Sequence, residues 1–369
     1  AWPSVYHNEK NNMILVVYVD DFKLAGPQKH LTTAWADLQK HVRMEPPTQL
    51  GLYLGCVQTQ TEQKLADGHK VRVIEYDMEK HLEQTVEKYL ALAGANTKLK
   101  KAMTPSLPDD GKIIPSALPI AEGEAVQCCW CACLTPIKGV GTEATKKVKS
   151  GKKTKTESTG KLGKEASSVL MKLLYAARMA RPDLQFPIGY LARHVTCWSE
   201  KDDERLHQLI SYAWMTKHWK MTCWVGDKLE DIEMCLYADA DFAGCDDSER
   251  STSGVQLTLQ GPHTRFGMQS QSKRQGCTSH STPEAEIVAA DHALRMVGLP
   301  SMAMWETIVG NVKKPAIEFH EDNQAMITVM RTGRNPTMRY LDRTHRVSVA
   351  WMHEVFQKDD INLKYEATR

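Results

Sequence analysis

Two places in this sequence bring carboxylates together at spacings that can hold a divalent cation. In the C-terminal half, the apolar run Met234 to Ala238 ends in Asp239-Ala240-Asp241, and alternation along a strand puts both acids on one face. Glu284 and Glu286 open a long helix, with Ser281 and Thr282 as N-cap candidates and Pro283 suited to the first helical position. Asp322 follows the strand-like run Ala316 to Phe319 and precedes a helix starting near Gln324. Acids from a strand, a helix start and a strand end can converge on a cation pair, because oxygen donors suit magnesium. Two such cations activate a water and stabilise the leaving oxygen in phosphodiester cleavage. The second place is Tyr18-Val19-Asp20-Asp21, behind the apolar run Ile14 to Val17. Adjacent acids at the tip of a buried hairpin are costly unless paired or metal-bound. Both patterns have a plainer reading: acids cap helix N-termini and aid solubility, and Asp favours turns.

The elements that must position these acids follow from periodicity. Met13 to Gly26 reads as a strand, a tight turn and a returning strand. His30 to Val42 has helical spacing, with Leu31, Ala34, Leu38 and Val42 on one face. Leu50 to Gln60 and Lys70 to Ile74 read as strands, and Met78 to Ala93 as a second amphipathic helix. Past Met103, Pro105, Pro108, Pro115 and Pro119 break regular structure, and Lys146 to Lys164 carries eight lysines against one acid, Glu157. That stretch is expected to be a flexible linker. Helical periodicity returns over Glu165 to Arg178, Gly189 to Val195 and Asp203 to Trp219. From Glu233 the order is three strands, a long helix, a strand, two helices and a strand, which predicts a separate mixed α/β domain.

Composition sets outer bounds. With 42% hydrophobic and 25% charged residues the chain has the balance of a soluble globular protein. No apolar run reaches about 18 residues, so a helical membrane span is excluded. The ten cysteines are not spaced as a secreted disulfide framework, which favours a reducing, intracellular setting. A net charge of only +2 means that nucleic-acid binding must be argued from local patterning. The chain starts without Met or a leader-like segment, so it reads as a piece of a longer protein.

The wording of the motifs goes further. Tyr237-Ala238-Asp239-Ala240-Asp241-Phe242-Ala243-Gly244 and Arg250-Ser251-Thr252-Ser253-Gly254 resemble the opening of copia-type retrotransposon ribonuclease H. Ser270-Gln271-Ser272-Lys273-Arg274-Gln275, Ser281-Thr282-Pro283-Glu284-Ala285-Glu286, Glu321-Asp322-Asn323-Gln324-Ala325 and Arg343-Thr344-His345 resemble its later blocks, in the family's order. Upstream, Tyr18-Val19-Asp20-Asp21 resembles the metal-binding hairpin of reverse transcriptases. Leu52-Tyr53-Leu54-Gly55-Cys56, Met103-Thr104-Pro105, Leu174-Tyr175-Ala176-Ala177-Arg178 and Arg181-Pro182-Asp183 resemble blocks that follow it. Phe242 stands where the family usually has Trp, and Pro283 where it usually has Thr.

The resemblance implies an α/β chain with an α+β palm remnant at 1–75, a thumb-like helical segment at 76–115 and a Cys/Lys-rich insert at 116–164. A helical thumb or connection at 165–230 and a ribonuclease H-like mixed-sheet domain at 231–369 follow. It implies Asp239, Glu284 and Asp322 as catalytic metal-binding acids, with Asp241 and Glu286 each two residues from their counterparts. Asp20 and Asp21 are implied as the polymerase acids. Magnesium is the implied metal, with manganese as the alternative. The implied partners are an RNA–DNA hybrid, a template–primer and upstream segments of a polyprotein, and the implied setting is a cytoplasmic particle or the nucleus. A fourth acid of the family is expected past Arg369. The alternatives are a decayed or truncated module that binds nucleic acid without cutting it, and a structural polyprotein segment that folds only with an upstream partner.

Other features have weaker chemistry. Cys128, Cys129, Cys131 and Cys133 are too crowded for an ordinary zinc site. The lysine run can neutralise phosphates, and Trp214, Trp219 and Trp224 with His218 and Lys220 can stack on bases, although such residues are more often solvated tail and core. His345 is as well suited to structure as to proton transfer. Polymerisation needs a further acid and a nucleotide pocket that the family places upstream of the hairpin. The expected outcome with this chain alone is no extension of a primed template, and measurable nucleotide incorporation would contradict it.

Overall fold

The computed structural model describes residues 3–94, 96–107, 125–127, 134–136, 159–245, 248–310 and 312–367. At the N-terminus β1 (Val5–Asn8), β2 (Met13–Tyr18) and β3 (Asp21–Ala25) form an antiparallel sheet in that order. The strand, turn and returning strand expected after Met13 are β2 and β3, joined through Val19 at a φ of 56°. Helix α1 (Gln28–His41) has no fully buried residue. The strand expected over Leu50 to Gln60 is instead a hairpin, β4 (Leu52–Tyr53) with β5 (Cys56–Lys64). Leu54 and Gly55 turn it with φ of 49° and 73°; two positive φ values make the tight two-residue hairpin, and Gly55 takes its place without a Cβ penalty. β6 (Lys70–Asp77) pairs with β5 and leads into α2 (Glu79–Ala93).

Two short strands, β7 (Ala125–Gln127) and β8 (Leu134–Pro136), pair with each other. Apart from these strands and residues 159–164, the expected insert lies outside the described residues, including its four clustered cysteines and the lysine run up to residue 158. Three helices follow: α3 (Ala166–Met179), α4 (Gln185–Ala192) and α5 (Glu200–Met215). A reciprocal cap between Ser199 and Asp202 starts α5. Leu82, Val86 and Tyr89 of α2 share one core with Leu170 and Leu173 of α3, Leu191 of α4 and Leu206 and Leu209 of α5. The segments at 76–115 and 165–230, apart in sequence, therefore close over a common interior. Arg181 is buried beside them. Its guanidinium donates to both Asp183 carboxylate oxygens and to the carbonyl and hydroxyl of Thr216, between the rings of Tyr212 and Trp219. Trp219 is thus occupied by Arg181, and Trp214 by Lys217.

β9 (Met221–Val225) begins the C-terminal region, followed by β10 (Glu233–Asp241), β11 (Thr252–Gly261) and β12 (Thr264–Arg274). The long helix is a composite of α6 (Thr282–Ala293), a π turn over Leu294–Gly298 and α7 (Leu299–Val309). Pro300 near the start of α7 has no N–H to donate, and a π turn ahead of it accommodates the mismatch. A Cβ on Gly298 would meet Leu236 Cδ2 at 2.8 Å and Ile317 Cδ1 at 3.2 Å, so only glycine lets the helix lie this close to the sheet. β13 (Ile317–Glu321), α8 (Gln324–Thr332), the single turn α9 (Leu341–Thr344), α10 (Val349–Phe356) and β14 (Ile361–Tyr365) complete the order.

β14, β13, β10, β11 and β12 stand side by side in that order. β10 is parallel to β13, and β13 to β14, whereas β10–β11 and β11–β12 are antiparallel. Leu236, Ala238 and Phe319 form its core with Ile287, Ala290 and Leu294 of the helix. This core is distinct from that of the α2–α5 helices. The sheet, however, does not stop at its edge: β9 lies between β12 and β6, giving nine strands ending in β5 and β4. The β9–β12 seam is a single pair, Arg265 opposite Trp224. His263 supports it through Asp227 and Asp67 while stacking on His69 at 3.9 Å. Among the described residues no helix is long and apolar enough to cross a membrane.

Phe319 is fully buried in the strand that leads to Asp322 and meets Phe356 edge-on, with ring centroids 5.3 Å apart. Phe319→Ala is expected to destabilise the protein by about 3–5 kcal/mol, measured by denaturant unfolding.

Candidate active site

The parallel register pairs Tyr237 with His320. Asp239 and Asp322 each lie two residues further along, so they emerge together at one end of the sheet. Helix α6 adds the third acid. Oxygens from Asp239, Glu286 and Asp322 all lie within 4.8 Å of one another. Asp239 is exposed, and Glu286 is buried at the floor. Of the acids implied by the resemblance, Asp239 and Asp322 are brought together; Glu284 is not, and Glu286 joins them.

Glu284 has other work. Ser281 caps α6 by accepting from the Glu284 amide, as expected for an N-cap serine. The Glu284 carboxylate, fully buried, accepts from the His280 amide at 2.9 Å and the Tyr340 hydroxyl at 2.9 Å, and lies 3.1 Å from His345 Nε2. It ties α6 to the segment carrying α9. His345 is itself almost fully buried in this contact, which favours the structural role for it. Asp241, the other near neighbour, is taken up by the Thr252 backbone amide across the β10–β11 turn, and burial raises its pKa.

The cluster is electrostatically strained. Burial, with the carboxylates of Glu321 and Asp239 beside it, pushes Glu286 up to about 9. Glu321, on the strand next to Asp322, opens that motif without being named among the site acids; burial pushes it up to about 8. One oxygen of each, Glu286 Oε2 and Glu321 Oε2, is buried with no hydrogen-bond partner. Unpaired buried acceptors are rare and mark a missing donor or cation. Hard oxygen donors, an exposed acid at the rim and orphaned oxygens at the floor fit a divalent cation.

Asp20 and Asp21 are far simpler. They sit at the β2–β3 turn, exposed, with Tyr18 and Val19 also exposed. The hairpin tip is therefore open, not buried as expected. Among the described residues neither acid joins a group of three potential metal ligands.

A sheet with this strand order and mix of directions, α6 across one face and acids at the shared ends of β10 and β13, defines a mixed α/β fold. No family model matches the chain. The chain is similar to the Retrovirus-related Pol polyprotein from transposon TNT 1-94 of Nicotiana tabacum, 28% identical over 295 residues. That alignment takes in 78% of this chain and 18% of the polyprotein, so the chain spans less than a fifth of its relative. Among solved structures, RNase H1 from the halophilic archaeon Halobacterium salinarum NRC-1 is 16% identical, covering 37% of this chain and 86% of that one, with a TM-score of 0.25. LC11-RNase H1 in complex with an RNA/DNA hybrid is 13% identical, covering 37% and 86%, with a TM-score of 0.23.

The raised pKa values set a sign. Between the ordinary value of 4.5 and about 9, the folded metal-free protein holds a proton on Glu286 that the unfolded chain has released. Its stability must therefore fall as pH rises through that window. In chelator at pH 8, Glu286→Gln is expected to stabilise the protein by on the order of 2 kcal/mol and to flatten the pH slope. Unfolding midpoints measured from pH 5 to 9 in both proteins check this.

Proposed function

We propose that this chain carries a ribonuclease H-type site, which hydrolyses the RNA strand of an RNA–DNA hybrid endonucleolytically with bound magnesium, or manganese in its place. The observation that carries the reading is the convergence of Asp239, Glu286 and Asp322 at one sheet end, with a buried carboxylate oxygen left without a partner. Homology to a retrotransposon Pol polyprotein supports it.

Divalent cations bound there supply an activated water and stabilisation of the leaving oxygen. The protein's part is to hold the acids. Asp239 and Asp322 come from strands locked in register, and Glu286 from a helix capped by Ser281. Glu284 positions the α9 segment beside them through Tyr340 and His345. The hybrid is read by shape, phosphates and sugar hydroxyls, so sequence preference is slight.

On this reading residues 231–369 are the nuclease unit. Residues 1–75 are the end of a polymerase palm, and the helices of 76–115 and 165–230 its thumb and connection. Asp20 and Asp21 then serve RNA-directed DNA synthesis only within the longer polyprotein, in a cytoplasmic particle or the nucleus.

With a labelled RNA–DNA hybrid and magnesium, Glu286→Gln and Asp322→Asn are expected to lower cleavage by more than ~100-fold. Glu284→Gln, acting through its partners, is expected to lower it ~10-fold. Cleavage that survives Glu286→Gln and disappears in Glu284→Gln would reverse the assignment of the helix acid. Binding without cleavage by the unaltered chain would instead leave a non-catalytic module.

A further inference from the structure

A second group of donors lies on the sheet face opposite α6. Along β10, Met234, Leu236 and Ala238 enter the core, so Cys235 and Tyr237 face the other way. The parallel register sets Cys235 opposite Glu318 and Tyr237 opposite His320. One donor atom from each of Cys235, Glu318 and His320 lies within 4.8 Å of the others. Unlike the all-carboxylate cluster at the sheet end, this group offers a sulfur, an imidazole and an oxygen.

His320 shows how the group is arranged. Its ring stacks on Tyr237, with centroids 4.4 Å apart and planes 17° from parallel. Nδ1 lies 3.2 Å from Glu366 Oε2, while Nε2 is buried with no hydrogen-bond partner. When Nδ1–H donates to that carboxylate, Nε2 presents a lone pair to the interior with nothing to accept from. A histidine oriented by a carboxylate on one nitrogen, with its other nitrogen free for a cation, is the usual arrangement of a metal ligand. At present Glu318 is paired with Lys364, whose side chain is half exposed and can turn to water when displaced.

We propose that Cys235, Glu318 and His320 form a zinc site. Thiolate, imidazole and carboxylate are zinc's ordinary donors. Zinc here pins β10 to β13 just behind Asp239 and Asp322. Zinc uptake releases the Cys235 thiol proton as the Zn–S bond forms.

The full chain, stripped with chelator and reloaded with zinc or cobalt, tests this. The expected result is about one equivalent of tightly held zinc and a cobalt–thiolate charge-transfer band. The band is lost in Cys235→Ser, and zinc-induced thermal stabilisation is lost in His320→Gln. Glu286→Gln keeps both signals, which separates this site from the acid cluster. Should Cys235→Ser fail to fold by circular dichroism, His320→Gln and Glu318→Gln decide by their zinc content. A cobalt band unchanged in Cys235→Ser places the metal on other cysteines and overturns the proposal. Zinc content as low in the unaltered chain as in His320→Gln overturns it too.

Discussion

β10 and β13 run parallel, with Met234 opposite Ile317 and Tyr237 opposite His320, and the chemistry at the sheet end depends on that register. A slip of one residue would send every side chain of β13 to the other face. Asp322 would then leave Asp239, and Phe319 would leave the core. The register is held because both faces have something to lose. Ile317 and Phe319 are fully buried on one side, and on the other Cys235, Glu318 and His320 are packed together with Tyr237.

Three carboxylates gathered around a buried floor oppose folding, and the surroundings are built to bear it. Ser281 fixes the start of α6, and Glu284 anchors the helix to Tyr340 and His345. The large apolar core beneath, from Leu236 to Val355, contributes the stability that the acids withdraw. Glu284 and Glu286 thus divide two tasks. One carboxylate is fully partnered and stiffens the frame; the other is left with an orphaned oxygen where a cation can be held.

The difference between these two residues shows what the sequence could and could not convey. On a strand, positions two apart share a face, and Asp239 follows from the strand pattern and the motif. On a helix, positions two apart point about 200° from each other, so choosing wrongly puts the acid on the opposite side. The apolar pattern of α6 offers no guidance. Ala285, Ile287, Ala289, Ala290 and Ala293 are all buried, so the helix is covered nearly all round and has no polar side to orient it. The strands after Glu233 were legible because β10 carries an apolar run and β11 and β13 alternate buried with half-buried residues. The hairpin at Leu54-Gly55 was hidden by apolar residues on both sides of the turn. The core common to α2 and α3 was hidden by the long insert between them. Cys235, Glu318 and His320 carry no local signature, since only the pairing of distant strands brings them together.

The π turn between α6 and α7 has a consequence for how this helix can vary. Its wider winding takes up one residue more than an α-helical path would, just where Gly298 passes Leu236 and Ile317. Removing one residue from 294–298 would restore a plain α-helical path and leave everything beyond it in phase, whereas the same deletion within α6 or α7 would turn the rest by about 100°. Trp305 and Val309, buried now, would keep their seat in the core while Glu286, upstream, stayed in place. The turn therefore stores a spare residue: the rod can lose it there and still serve both the acid cluster at its start and the hydrophobic seat at its end.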